Sequence, residues 1–141
     1  MRRGTTLLEL ALALVIVGLL LGIARPRLGG LMDSLAVDRA AHEIIAAHRR
    51  ARIVAVLRSQ VVELTVDATA LAIRPRGAAA DLWSGPGPSA SQVVLVGPQR
   101  RISFSPVGVS MGLSNASFRL SRGAVVRTVV VSRLGRTRIV P

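Results

Sequence analysis

The sequence predicts an α+β fold, a long N-terminal helix packed on an antiparallel β-sheet domain. Three observations carry that prediction. An apolar stretch runs from Thr5 to Ala24 and contains a single charge, Glu9. Apolar residues then recur at helical spacing as far as about Ser59. After Gln60 the period becomes alternating, and short strand-like runs follow one another between turn residues. One helix followed by meandering strands places the helix over one face of the sheet.

Thr5 to Ala24 can span about 30 Å as a helix, the thickness of a bilayer's hydrocarbon core. A secretory signal would have a shorter apolar centre and a small-residue cleavage site after it. Ile23-Ala24-Arg25-Pro26-Arg27 offers no such site, so retention as a spanning helix is the better reading. Arg2 and Arg3 place the N-terminus in the cytoplasm and send the rest of the chain across, although Arg25 and Arg27 oppose that orientation. Glu9 inside this segment costs several kcal/mol unless it finds a partner.

Pro26 lacks an amide hydrogen and disfavours helix at Arg25, so a kink or break is expected there. Beyond Gly29-Gly30, an apolar stripe of Leu31, Leu35, Ile44, Ile45, Ala51, Val54 and Leu57 continues the helix through 26–59. Asp33, Asp38, Arg39, Glu43, Arg49, Arg50, Arg52 and Arg58 cover its other faces, with Arg39 and Glu43 paired one turn apart. His42 and His48, the only histidines, stand six apart and do not share a helix face as a metal pair would. Both read as helix-surface residues.

The sheet domain covers 60–141. Val61–Val66 and Ala70–Arg74 form a hairpin around Asp67-Ala68-Thr69; Gly77 to Ser91, with Gly85-Pro86-Gly87-Pro88, reads as a surface loop. Strands resume at Val93–Val96 and Arg101–Phe104. Pro106–Gly108 and Met111-Gly112 make the next turn. Ser117–Leu120, Arg127–Ser132 and Thr137–Val140 close the chain.

The 141 residues contain no cysteine, which excludes disulfides, a thiol nucleophile and a cysteine-held metal. The net charge of +12 comes entirely from arginine, and no Asp or Glu lies beyond Asp81. A basic end of this kind implies an anionic partner (phosphate, acidic protein or anionic lipid). Codon usage rich in Arg, Ala, Gly and Pro would produce the same composition without one. No glycine-rich phosphate loop, pair of acids at catalytic spacing or nucleophile–base–acid set is present, so an enzyme is not expected, nor a cofactor or metal.

Gly4-Thr5-Thr6-Leu7-Leu8-Glu9 resembles the class III signal of type IV pilins and type II secretion pseudopilins. The resemblance implies a leader over 1–4, cut by a prepilin peptidase between Gly4 and Thr5, with N-methylation of Thr5. Thr5 departs from the Phe or other apolar residue usual there. Residues 5–25 would then be a transmembrane and filament-core helix. Glu9 falls where the family carries an acid that pairs with a neighbouring subunit's amino terminus, and Pro26 where many members carry a helix-kinking proline. Such a pair offsets two buried charges and enforces register.

Phe104-Ser105-Pro106-Val107-Gly108 and Val129–Arg136 are similar to segments of the GspH/FimT branch of minor pseudopilins. Major pilins of this superfamily close a loop with a disulfide, and major pseudopilins hold calcium with acidic ligands. This chain has neither means, so a minor subunit fits better. The resemblance implies an inner-membrane, single-pass protein with its C-terminal domain in the periplasm. Its partners would be the other pseudopilins of a filament tip and the assembly platform, and its role would be to drive protein export. The alternative, similar to FimT, is a minor type IV pilin that binds DNA during uptake. Gly135-Arg136-Thr137-Arg138 matches that subgroup's G-R-x-R element, so Arg133, Arg136 and Arg138 are its candidate contacts.

Overall fold

The computed structural model describes residues 6–111, 116–132 and 134–141, with the side chains of 23–27 also outside the description. Contacts divide the chain into two compact units, Met1–Met32 and Asp33–Pro141. One helix, α1 (Leu7–Leu57), contributes to both. Among the described residues nine strands follow: β1 (Val62–Val66), β2 (Ala70–Pro75), β3 (Trp83–Pro86), β4 (Val94–Val96), β5 (Arg100–Phe104), β6 (Ser110–Met111), β7 (Ala116–Arg122), β8 (Val125–Val131) and β9 (Thr137–Val140). A short 3-10 helix, Pro88–Ser91, lies between β3 and β4.

In the first unit α1 starts with a side-chain cap. The Thr6 hydroxyl accepts the Glu9 amide at 3.2 Å, and the Leu10 amide closes the first backbone turn on the Thr6 carbonyl at 3.1 Å. Thr6-x-x-Glu9 is therefore the forward half of a capping box, with an acid in the first turn where the helix dipole favours negative charge. The helix continues unbroken through Arg25 and Pro26, so the break expected there is absent. Among the described residues no helix is long and apolar enough to cross a membrane. The expected span, Thr5 to Ala24, reaches beyond the described side chains at both ends.

In the second unit the strands form two antiparallel sheets where one was expected, in the orders β3-β2-β1-β5-β6 and β4-β7-β8-β9. The β1–β2 hairpin pairs Val66 with Leu71 and Val62 with Pro75, as the alternation predicts. Strand β7 buries Ala116, Phe118 and Leu120 and exposes Ser117 and Arg119, the period-two pattern of a half-covered strand. Phe104, Phe118, Leu64, Leu71, Ile73, Leu120 and Val129 from both sheets share one core cluster with α1.

The helix face in that core is Val37, Ala40, Ala41, Ile44, Ala47, His48, Ala51 and Ala55. These positions recur every three or four residues, and most are alanine. This corrects the expected stripe. Ile44 and Ala51 are buried, whereas Leu31, Leu35 and Leu57 are exposed, Leu57 by 78%. Small side chains let strands approach the helix axis, and leucines at those positions would hold them off. His48 is also corrected, being 2% exposed and stacked edge-on against Phe104 at 5.0 Å. The helix ends at Leu57, two residues before the expected Ser59.

The expected loop over 77–91 is partly regular. Strand β3 pairs with β2 at the sheet edge, where a proline's missing amide is tolerated. Gly87 then packs against the Ala68–Ala70 turn, its amide donating to the Thr69 carbonyl at 3.0 Å; a Cβ would collide with that backbone. Strand β6, read from the sequence as turn, adds a two-residue rung to β5.

Candidate functional site

Two regions carry the residues singled out by the sequence. The first is the start of α1. Leu7, Leu8, Leu10, Leu12, Leu14, Val15, Ile16, Val17, Leu19, Leu20 and Leu21 are all half or more exposed, Leu7 by 88%. An apolar surface on every side of a helix calls for an apolar environment around it. Glu9 is the only charge within this described surface. Gly4 and Thr5, the expected processing site, lie outside the described residues, and so does the side chain of Pro26.

The second region is the turn between β8 and β9. The Gly135 amide donates to the Ser132 carbonyl at 2.9 Å, and the Ser132 amide to the Arg136 carbonyl at 2.8 Å. The Ser132 hydroxyl also accepts the Arg136 amide at 3.1 Å. Gly135 has φ +73°, a left-handed conformation that glycine adopts without strain. The turn holds Arg136 at the head of β9, and Arg138 follows two residues on, so the two exposed guanidinium groups point to the same side of the strand. Both line a shallow cavity of about 310 Å³ with Val130, Ser132 and Thr137. Arg133 lies outside the described residues.

These arginines do not stand alone. Arg138 shares a cleft of about 800 Å³ with Arg49, Arg50, Ile45 and Ile53 of α1. Arg136 shares another, of about 360 Å³, with His48, Arg49 and Arg52. The sequence reading placed the helix arginines on a solvated face and left them out of any site. Their signal was the clustering of Arg49, Arg50 and Arg52, which gains meaning only once β9 folds beside them. Arg50 has a partner of another kind, its guanidinium lying 4.7 Å from the centre of the Trp83 ring.

Burial holds the pKa of His48 below its ordinary 6.5, and the charges of Arg52 and Arg49 push it in the same direction. His42 is exposed, its Nδ1 2.7 Å from the Asp38 carbonyl oxygen. Among the described residues no group of three or more His, Asp or Glu side chains could hold a metal.

Comparison with known proteins fits this architecture. The family model described as Type II transport protein GspH matches residues 40–135. The chain is 32% identical over 155 aligned residues to the pilin-like protein PilA1 of Thermus thermophilus, covering 98% of both. Two crystal forms of the type IV minor pilin FimU of Pseudomonas aeruginosa share its fold. They give TM-scores of 0.60 and 0.55 at 21% and 19% identity, over 74% of this chain and 88% and 92% of theirs. The chain belongs to the GspH family: it is a pilin-like protein, structural rather than enzymatic.

Proposed function

We propose that the chain is a minor pseudopilin of a type II secretion system, an H-type subunit that enters a periplasmic filament near its tip and helps drive protein export. The observation that carries this reading is the helix surface from Leu7 to Leu21, apolar all round and interrupted by one acid. Beyond its place in the first turn of the helix, a plain anchor has no use for that acid. A subunit passing from bilayer to filament does, because Glu9 then guides register against a neighbour's amino terminus. In this reading a prepilin peptidase removes residues 1–4, Thr5 becomes the methylated N-terminus, and residues 5–25 hold the chain in the inner membrane before assembly. Pro26 marks the passage to the amphipathic part. The assembly platform and the other tip pseudopilins are its partners.

The test is Glu9→Ala expressed at the parent level. The variant stays in the membrane fraction but fails to co-purify with the filament and to restore secretion. Normal secretion by that variant overturns the reading.

A second reading, DNA binding during uptake, is supported by the convergence of Arg136 and Arg138 with the helix arginines. Binding of that kind is directed at the phosphate backbone and falls steeply with salt. Duplex DNA titrated into the detergent-solubilised chain at low salt decides it. Loss of binding in Arg136→Ala/Arg138→Ala supports uptake, while absent binding, or binding indifferent to both changes, removes it.

A further inference from the structure

We propose that the cleft between α1 and the β8–β9 turn binds a terminal phosphate group, either inorganic phosphate or the phosphomonoester of a small molecule. Arg49, Arg52 and Arg136 hold the group, over a wall made by His48, Gly135 and Thr137. The cavity, about 360 Å³, is of the size that takes small ligands.

Charge pairing sets this cleft apart. The second unit has six acids, and five are held by arginines elsewhere: Asp33 by Arg122, Asp38 by Arg127, Glu43 by Arg39, Glu63 by Arg76 and Asp81 by Arg74. The sixth, Asp67, accepts the Thr69 hydroxyl at 2.8 Å. No described carboxylate lines the cleft beside its three guanidiniums. Like charges gathered without a counter-charge repel one another, and an anion between them removes that cost.

A second observation comes from the wall. His48 is almost wholly buried, yet its Nε2 has no hydrogen-bond partner among the described residues, and neither does the buried Ser110 hydroxyl. Both residues surround Gly135: a Cβ there would lie 3.6 Å from Ser110 Oγ and 4.0 Å from His48 Cε1. Glycine thus leaves space beside two unsatisfied polar groups, at the edge of an arginine-rich cleft. Buried polar groups are seldom left without partners, and these two, closed to solvent as the cleft stands, gain one when the Gly135 turn shifts on ligand binding.

The number of donors selects the ligand. A terminal phosphate offers three oxygens to three guanidiniums, whereas a carboxylate or a backbone phosphodiester offers two. The site shares Arg136 and the helix arginines with the DNA reading, and it stands whether or not the filament reading holds.

The chain's two histidines provide the readout. Imidazole resonances of the detergent-solubilised full chain are followed during titration with sodium phosphate and, separately, with glycerol 1-phosphate. Sodium chloride at matched ionic strength is the control. The expected result is a saturable shift of the His48 ring with His42 unmoved, and at least tenfold weaker binding in Arg52→Met and Arg136→Met. Arg119→Met, away from the cleft, binds like the parent. Tighter binding of the glycerol ester assigns the site to phosphomonoesters; equal or weaker binding assigns it to free phosphate. No saturable His48 shift with either probe overturns the proposal, and so does a shift that chloride reproduces. The parent titration decides this even if a variant fails to fold.

Discussion

Arg122 joins Asp33 to the 3-10 turn: its Nε donates to Asp33 Oδ1 at 2.9 Å, and its Nη1 to the Ser91 carbonyl at 2.7 Å. One guanidinium thereby ties α1, β7 and the segment before β4. Both side chains of the ion pair are more than two-thirds buried, so screening by water is incomplete. Arg122→Met is expected to lower unfolding free energy by about 1.5–3 kcal/mol, the range for hydrogen bonds to a charged group. Arg122→Lys should recover less than half, because an ammonium cannot reproduce the planar fork. Urea denaturation of the detergent-solubilised chain measures both.

The alanine face of α1 sets a second expectation. Ala51→Leu forces three heavy atoms into a position with no exposed surface and should cost about 1–3 kcal/mol by overpacking. Leu35→Ala, at a position 57% exposed, should change stability by less than about 0.5 kcal/mol. Thermal melts of the two variants check the contrast. Equal losses would return the core to the leucine stripe.

His48 makes stability depend on pH. Its folded-state pKa lies below 6.5, so the unfolded chain takes up its proton first as pH falls. Stability from this group is complete above about pH 6.5 and declines as pH drops toward the folded-state value. The groups around it are Arg49 and Arg52 on α1, Arg136 in the turn, Ser110 on β6 and the Phe104 ring on β5. Of these only the arginines carry charge. Melting temperature should fall as pH drops below about 6.5 in the parent and stay flatter in His48→Met.

These variants also mark where sequence reading succeeds. The strands β1, β2, β5, β7, β8 and β9 were legible because one-sided burial stamps a period of two on their residues. Phe118 and Leu120 alternating with Ser117 and Arg119 is the clearest case. The helix face was less legible, since Leu35 and Ala40 are both apolar and only the nearness of strands decides between them. Its three-and-four spacing from Val37 to Ala55 passes through His48, a polar residue that hides the stripe until Phe104 is known to cover it. Gly85-Pro86-Gly87-Pro88 carries strong turn chemistry, yet β3 forms there because an edge strand tolerates proline. The basic turn at Arg136 was visible in sequence. The cleft was not, because Arg49 and Arg52 lie more than eighty residues earlier in the chain.

Processing yields a prediction of mass. The chain recovered from membranes of an expressing host with an active prepilin peptidase should begin at Thr5, shortened by residues 1–4 and carrying one methyl group. Intact-protein mass spectrometry reads both changes. A chain starting at Met1 would contradict removal of residues 1–4.

The central claim, that Glu9 is an assembly contact, is tested most directly by a photo-crosslinking residue at Leu8 in cells carrying the full secretion system. With Glu9 intact, illumination should join the chain to another pilin-class subunit, identified by mass spectrometry. With Glu9→Ala that adduct should disappear while the amount in the membrane is unchanged. The same adduct at the same yield in both chains would contradict the account.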